Sequence, residues 1–109
     1  MTKVSFDDWK KLDLRVGKIL EVENHPNADK LLVIKVDIGE ENPRTIVAGL
    51  KKYYSLEDLK GQEVVIFANL EPVDLRGVKS EGMVLAAGKD DKVIFISPEK
   101  TIEAGARIS

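Results

Sequence analysis

The chain has 109 residues, 43% hydrophobic and 33% charged, with a net charge of −2. That length fits one domain, residues 1–109, with a single core, and the composition is far from that of a disordered chain. Having no cysteine, it cannot build a disulfide framework, a thiolate zinc site or a thiol nucleophile, and its acidic balance argues against a bulk electrostatic grip on nucleic acid.

No apolar run approaches the roughly 20 residues of a membrane span, and the segment from Met1 to Asp8 lacks the apolar core of a signal peptide. The expectation is a soluble, cytoplasmic protein. Ser5-Phe6-Asp7-Asp8 has the form of a helix start, a hydroxyl cap followed three residues later by a carboxylate. Phe6, Trp9 and Leu12 then fall on one face of a helix too short to be stable alone. That face must rest on the chain's own domain or on a second subunit, where Trp and Phe are enriched.

From Asp13 the period changes to two: Leu14 and Val16, then Gly17, then Ile19 to Val22. A glycine inside a strand marks a bulge or sharp bend, as barrels need. Asn24 to Asp29 is a turn, and Leu31 to Ile38 a second strand with Leu32, Ile34, Val36 and Ile38 on one face. After a turn at Gly39 to Arg44, Thr45 to Ala48 forms a third strand. Ser55-Leu56-Glu57-Asp58 repeats the capping pattern, and Gly61 sits where a short helix would end.

Two further strands, Val64 to Ala68 and Met83 to Ala87, enclose the long excursion Leu70 to Glu81. Hairpin connections need two to five residues, and longer ordered loops are usually functional. Val93 to Ile96 is another strand, Pro98 breaks the pattern, and Ala106 to Ile108 adds a last short strand. The order predicts a mainly β, five-stranded barrel of the OB type, with a short helix between strands three and four, a short N-terminal helix and a C-terminal extension.

Several motifs carry a family resemblance: Asp13-Leu14-Arg15-Val16-Gly17-Lys18-Ile19, His25-Pro26-Asn27-Ala28-Asp29-Lys30-Leu31, Arg44 to Leu50, Asn69-Leu70-x-Pro72, and Ser80-x-Gly82-Met83-x-Leu85-Ala86-Ala87. Together they resemble the tRNA-binding OB domain family. Its members include parts of methionyl-tRNA synthetases, free-standing structure-specific tRNA-binding proteins and CsaA-like proteins. The resemblance implies a non-catalytic homodimer that recognises the shape of tRNA near its outer corner, alone or in trans for an aminoacyl-tRNA synthetase, most plainly the methionyl type. It places RNA contacts at Asn69, Ser80 and Met83, supported by Lys30 and Arg15, and dimer contacts at Phe6, Trp9 and the C-terminal tail. The CsaA-like members supply the alternative, a protein-binding, chaperone-like dimer with little affinity for RNA.

The residues fit these roles chemically. Ser80 and Asn69 can donate and accept hydrogen bonds to a phosphate or 2′-hydroxyl, and Met83 offers an adaptable apolar surface. Each has a structural alternative: Met83 as core, Ser80 as a turn cap. Lys51-Lys52-Tyr53-Tyr54 sets charge beside rings suited to stacking, unless the tyrosines form a lid on the barrel. The excursion itself reads Glu71-Pro72-Val73-Asp74-Leu75-Arg76 where the family commonly carries cations. Binding would then be weaker, or shifted onto Lys51, Lys52, Arg76 and Lys79; Arg44 either joins them or pairs with a carboxylate. His25, the single histidine, lacks the companions that a metal site needs, and a hydrogen-bonded turn is its expected role. No glycine-rich phosphate loop, nucleophile–histidine pair or carboxylate pair points to catalysis, and no metal or cofactor is expected.

Overall fold

A computed structural model describes residues 1–109. Helix α1 (Phe6–Lys10) leads into strand β1 (Leu14–Asn24), followed by β2 (Leu32–Asp37), β3 (Arg44–Ala48), helix α2 (Leu56–Leu59) and β4 (Glu63–Phe67). Then come β5 (Val73–Leu75), β6 (Val78–Ser80), β7 (Met83–Val84), β8 (Ala86–Lys89), β9 (Lys92–Phe95) and β10 (Arg107–Ile108). Five strands in the order β3-β2-β1-β4-β7 form a mainly β, nearly closed barrel, with α2 between the third and fourth strands as expected.

Strand β1 serves two neighbours. Its first half, Leu14 to Lys18, pairs with β4, and its second half, Lys18 to Asn24, pairs with β2. A bulge between Ile19 and Glu21 bends the strand from one partner to the other. Gly17 is therefore not the bulge itself; its role is clearance. A Cβ at Gly17 would lie 2.5 Å from Val36 Cγ1 and 3.1 Å from Ile66 Cγ1, so β1 crosses the core at a distance only glycine permits.

The core contains 13 buried residues. Leu32, Ile34, Val36 and Ile38 share one face of the second strand and its continuation, as their spacing requires, and each is at most 1% exposed. Leu59 closes one end of the barrel from α2, whose Ser55–Asp58 capping box is formed in both directions. Gly61 ends that helix with φ +86°. Tyr54 covers the core as a lid, its ring 5.0 Å from Phe95, while its hydroxyl accepts the Phe95 N–H at 3.4 Å.

Two segments differ from the sequence expectation. The excursion after β4 holds a two-stranded hairpin, β5–β6, with Arg76 (φ +58°) and Gly77 (φ +94°) at its tip, the paired positive angles of a type I′ turn. The strand expected at Met83 to Ala87 divides at Leu85: β7 pairs with β4, whereas β8 leaves to pair with β9. The C-terminal segment returns to the barrel, with β10 against β1 and Gly105 N–H donating to Val16 O at 2.7 Å.

Candidate nucleic-acid interface

The barrel closes where β3 meets the segment from Ser80 to Gly82, and closure uses side chains as much as backbone. Glu81 N–H donates to Thr45 O at 2.8 Å. Ser80 Oγ accepts the Val47 N–H at 2.9 Å and donates to Gly82 O at 2.8 Å, on a residue only 2% exposed. Gly82 has φ +140°, and a Cβ there would sit 2.9 Å from Phe67 O. Arg44 bridges the same seam: Nε and Nη2 donate to the two carboxylate oxygens of Glu40, both at 2.8 Å, and Nη1 donates to Ala68 O and, at 3.1 Å, to Glu81 O. The hydrogen bond from Arg44 holds the Glu40 carboxyl below its ordinary pKa.

Besides Arg76, whose exposed guanidinium donates to Asn27 O at 3.4 Å, three residues expected at an RNA surface have partners inside the domain. Ser80 is one. Asn69 is a second: its Oδ1 accepts the Asp13 N–H at 2.8 Å and its Nδ2 donates to Lys11 O at 2.6 Å, tying the end of β4 to the segment between α1 and β1. Arg15 is the third, donating to Asp13 Oδ1 at 2.8 Å. That bond lowers the Asp13 pKa and raises that of Arg15. The pattern of residue types could not separate such roles from ligand contact, because an amide, a hydroxyl or a guanidinium suits both.

The remaining candidates lie on the surface. Met83 opens β7 opposite Phe67 and is 37% exposed. Lys30, Lys51, Lys52, Arg76 and Lys79 are all exposed, and none takes part in the five ion pairs of the protein. Topology gathers them. The turn carrying Lys30 touches the β5–β6 tip, because His25 Nε2 bonds Leu75 O at 2.8 Å and Asn27 Nδ2 donates to Arg76 O at 3.3 Å. A Cβ at Gly49 would stand 3.9 Å from Leu31 Cδ2, so the turn carrying Lys51 and Lys52 passes beside it. Lys79, two residues past Gly77 at the tip, lines a groove of ≈ 360 Å³ with Glu40, Arg44, Ala68, Leu70, Pro72 and Glu81. Lys52 Nζ lies 5.8 Å from the Tyr53 ring centroid, a cation beside an aromatic surface.

The carboxylates of the excursion divide in role. Asp74 Oδ1 accepts the Gly77 N–H at 2.9 Å and so fastens the hairpin turn, whereas Glu71 is exposed without an ion-pair partner. His25 is 6% exposed and holds a turn, as expected, but its bond across to Leu75 has no signal in the local sequence.

Residues 14–107 match the family model described as "Putative tRNA binding domain". Among curated relatives, a methionine–tRNA ligase of Thermococcus kodakarensis is 60% identical over 108 residues, covering 99% of this chain and 14% of the relative. One from Nanoarchaeum equitans is 50% identical over 105 residues, covering 96% and 13%. The chain thus spans about one seventh of these relatives. Of solved structures, a MetRS-related protein from Pyrococcus horikoshii superposes with a TM-score of 0.92 at 32% identity, covering 100% of both chains. The chaperone CsaA of Bacillus anthracis superposes with 0.89 at 31% identity, covering 99% of this chain and 100% of that one. The barrel, its motif-bearing turns and these likenesses agree, and the chain belongs to the tRNA-binding OB domain family.

Proposed function

We propose that this chain is a non-catalytic module that recognises folded tRNA, acting in the cytoplasm as a homodimer or in trans for an aminoacyl-tRNA synthetase of the methionyl type. One observation carries the reading: in a chain of net charge −2, five of the twelve cations that take part in no ion pair lie on adjoining turns and one hairpin at the same side of the barrel. These turns flank β2 and β3, the region that OB barrels use for nucleic acid. Lys30, Lys51, Lys52, Arg76 and Lys79 meet phosphates, Met83 supplies an apolar contact, and Asn69, Ser80 and Arg15 hold the framework. A weak contact of this kind becomes effective when tethered to, or associated with, a second RNA-binding surface.

The dimer is proposed from α1. No residue of the helix is buried, and Phe6 and Trp9 are 70% and 38% exposed. A five-residue helix with an exposed aromatic face needs a partner.

Binding of tRNA to alanine variants tests the reading. Lys79→Ala and Arg76→Ala are expected to weaken binding and to reduce the salt slope by about one each. Met83→Ala is expected to weaken it with the slope retained, because no charge is removed. The exposed Leu70, Val73 and Met83 beside Glu71 favour a second reading, a CsaA-like surface for peptides. Peptide binding that survives high salt, with no response to tRNA, would support that reading instead.

A further inference from the structure

His25 and Ser80 are the buried polar residues of the protein. Both ring nitrogens of His25 are engaged. Nδ1 accepts the Asn27 N–H at 2.9 Å, which leaves the proton on Nε2, and Nε2–H donates to Leu75 O at 2.8 Å. This bond joins the β1–β2 turn to the last residue before the β5–β6 tip. Asn27 reinforces it: its Nδ2 donates to Arg76 O at 3.3 Å, and its carbonyl accepts from Arg76 Nη2 at 3.4 Å. A two-stranded hairpin is marginal by itself, and β5 and β6 have three residues each. Its tip also holds an arginine at φ +58°, a conformation that side chains other than Gly and Asn adopt at some cost. The neighbouring turn supplies what the hairpin lacks.

We propose that His25 is a positioning residue for the RNA surface: through the Leu75 carbonyl it presets the β5–β6 tip, so that Arg76 and Lys79 meet the phosphate backbone already ordered. The inference rests on the rim being the tRNA-binding surface. Buried as it is, His25 makes no RNA contact; it removes the ordering that a loose hairpin would undergo on binding.

The test combines a double-mutant cycle with amide exchange. tRNA affinity is measured for wild type, His25→Ala, Arg76→Ala and the double variant, and for His25→Gln, whose amide can place an N–H near the position of Nε2. Exchange at Gly77 N–H is followed in the RNA-free proteins. His25→Ala is expected to lose on the order of tenfold in affinity, and less than that in the Arg76→Ala background, where only Lys79 remains to be positioned. His25→Gln is expected to recover most of the loss, and Gly77 exchange to quicken in His25→Ala. Asn27→Ala, which removes the bond to Arg76 O and keeps the imidazole, is the second variant should His25→Ala not fold, and is expected to show a smaller loss of the same kind. Additive losses in the cycle, or unchanged Gly77 exchange, would overturn the proposal. Failure of the wild type to bind tRNA would instead refute the rim reading beneath it.

Discussion

Ser80 shows how a side chain that looks like a ligand contact can be a fastener. Its hydroxyl satisfies Val47 N–H at the seam where the barrel closes, and Ser80→Ala would leave that buried donor without a partner. A loss of about 1–3 kcal/mol is expected, read as a lowered Tm; unchanged stability would show that the seam closes without the hydroxyl. Asp74 makes the complementary case. Its carboxylate accepts from Gly77 N–H, and an asparagine can make the same bond without the charge. Asp74→Asn is therefore expected to keep the hairpin and to tighten tRNA binding a few-fold at low salt, with the gain vanishing at high salt. The sequence offered Ser80 a turn-capping alternative, which its bond to Gly82 O matches, but neither its cross-strand bond nor the role of Asp74 was legible. The serine's partner lies 33 positions away, and an aspartate two residues before Arg76 reads first as a charge opposed to RNA.

At the scale of elements, legibility follows the range of the forces. The period-two run from Leu32 to Ile38 and the Ser55–Asp58 capping box are local, and both stand where the sequence puts them. The β5–β6 hairpin was hidden because three-residue strands carry no periodicity and the turn uses Arg-Gly in place of the familiar Asn-Gly. The split at Leu85 was hidden because the partner changes while the apolar run continues: Leu85 N–H still reaches Val65 O, and its carbonyl turns to Ile96 N–H. Helix α1 was legible as a helix but not in its surroundings. Replacing both Phe6 and Trp9 by alanine is expected to shift the protein from dimer to monomer in sedimentation while leaving the barrel's stability nearly unchanged. A monomeric wild type, or a dimer that survives both substitutions, would remove α1 from the interface.

Across the whole molecule, positive charge is sorted rather than in excess. Arg15, Arg44 and Arg107 are drawn to Asp13 and Glu40, where they fasten β1, β3 and the C-terminal segment. Of the cations that take part in no ion pair, Lys30, Lys51, Lys52, Arg76 and Lys79 surround the β1–β2 turn, the turn after β3 and the β5–β6 hairpin, whereas Lys3, Lys18, Lys35, Lys60, Lys89, Lys92 and Lys100 lie elsewhere. Net charge says nothing of this division, whereas the order of strands and the lengths of turns produce it. We propose that this rim binds folded tRNA through its phosphates. A titration of the protein with tRNA and with an unstructured RNA of equal length, at two salt concentrations and followed by gel mobility, decides it. If about four cations engage phosphates, affinity for tRNA should fall roughly 50- to 150-fold between about 50 and 200 mM salt, with tRNA preferred throughout. Equal affinity for the two RNAs, or binding indifferent to salt, would contradict it.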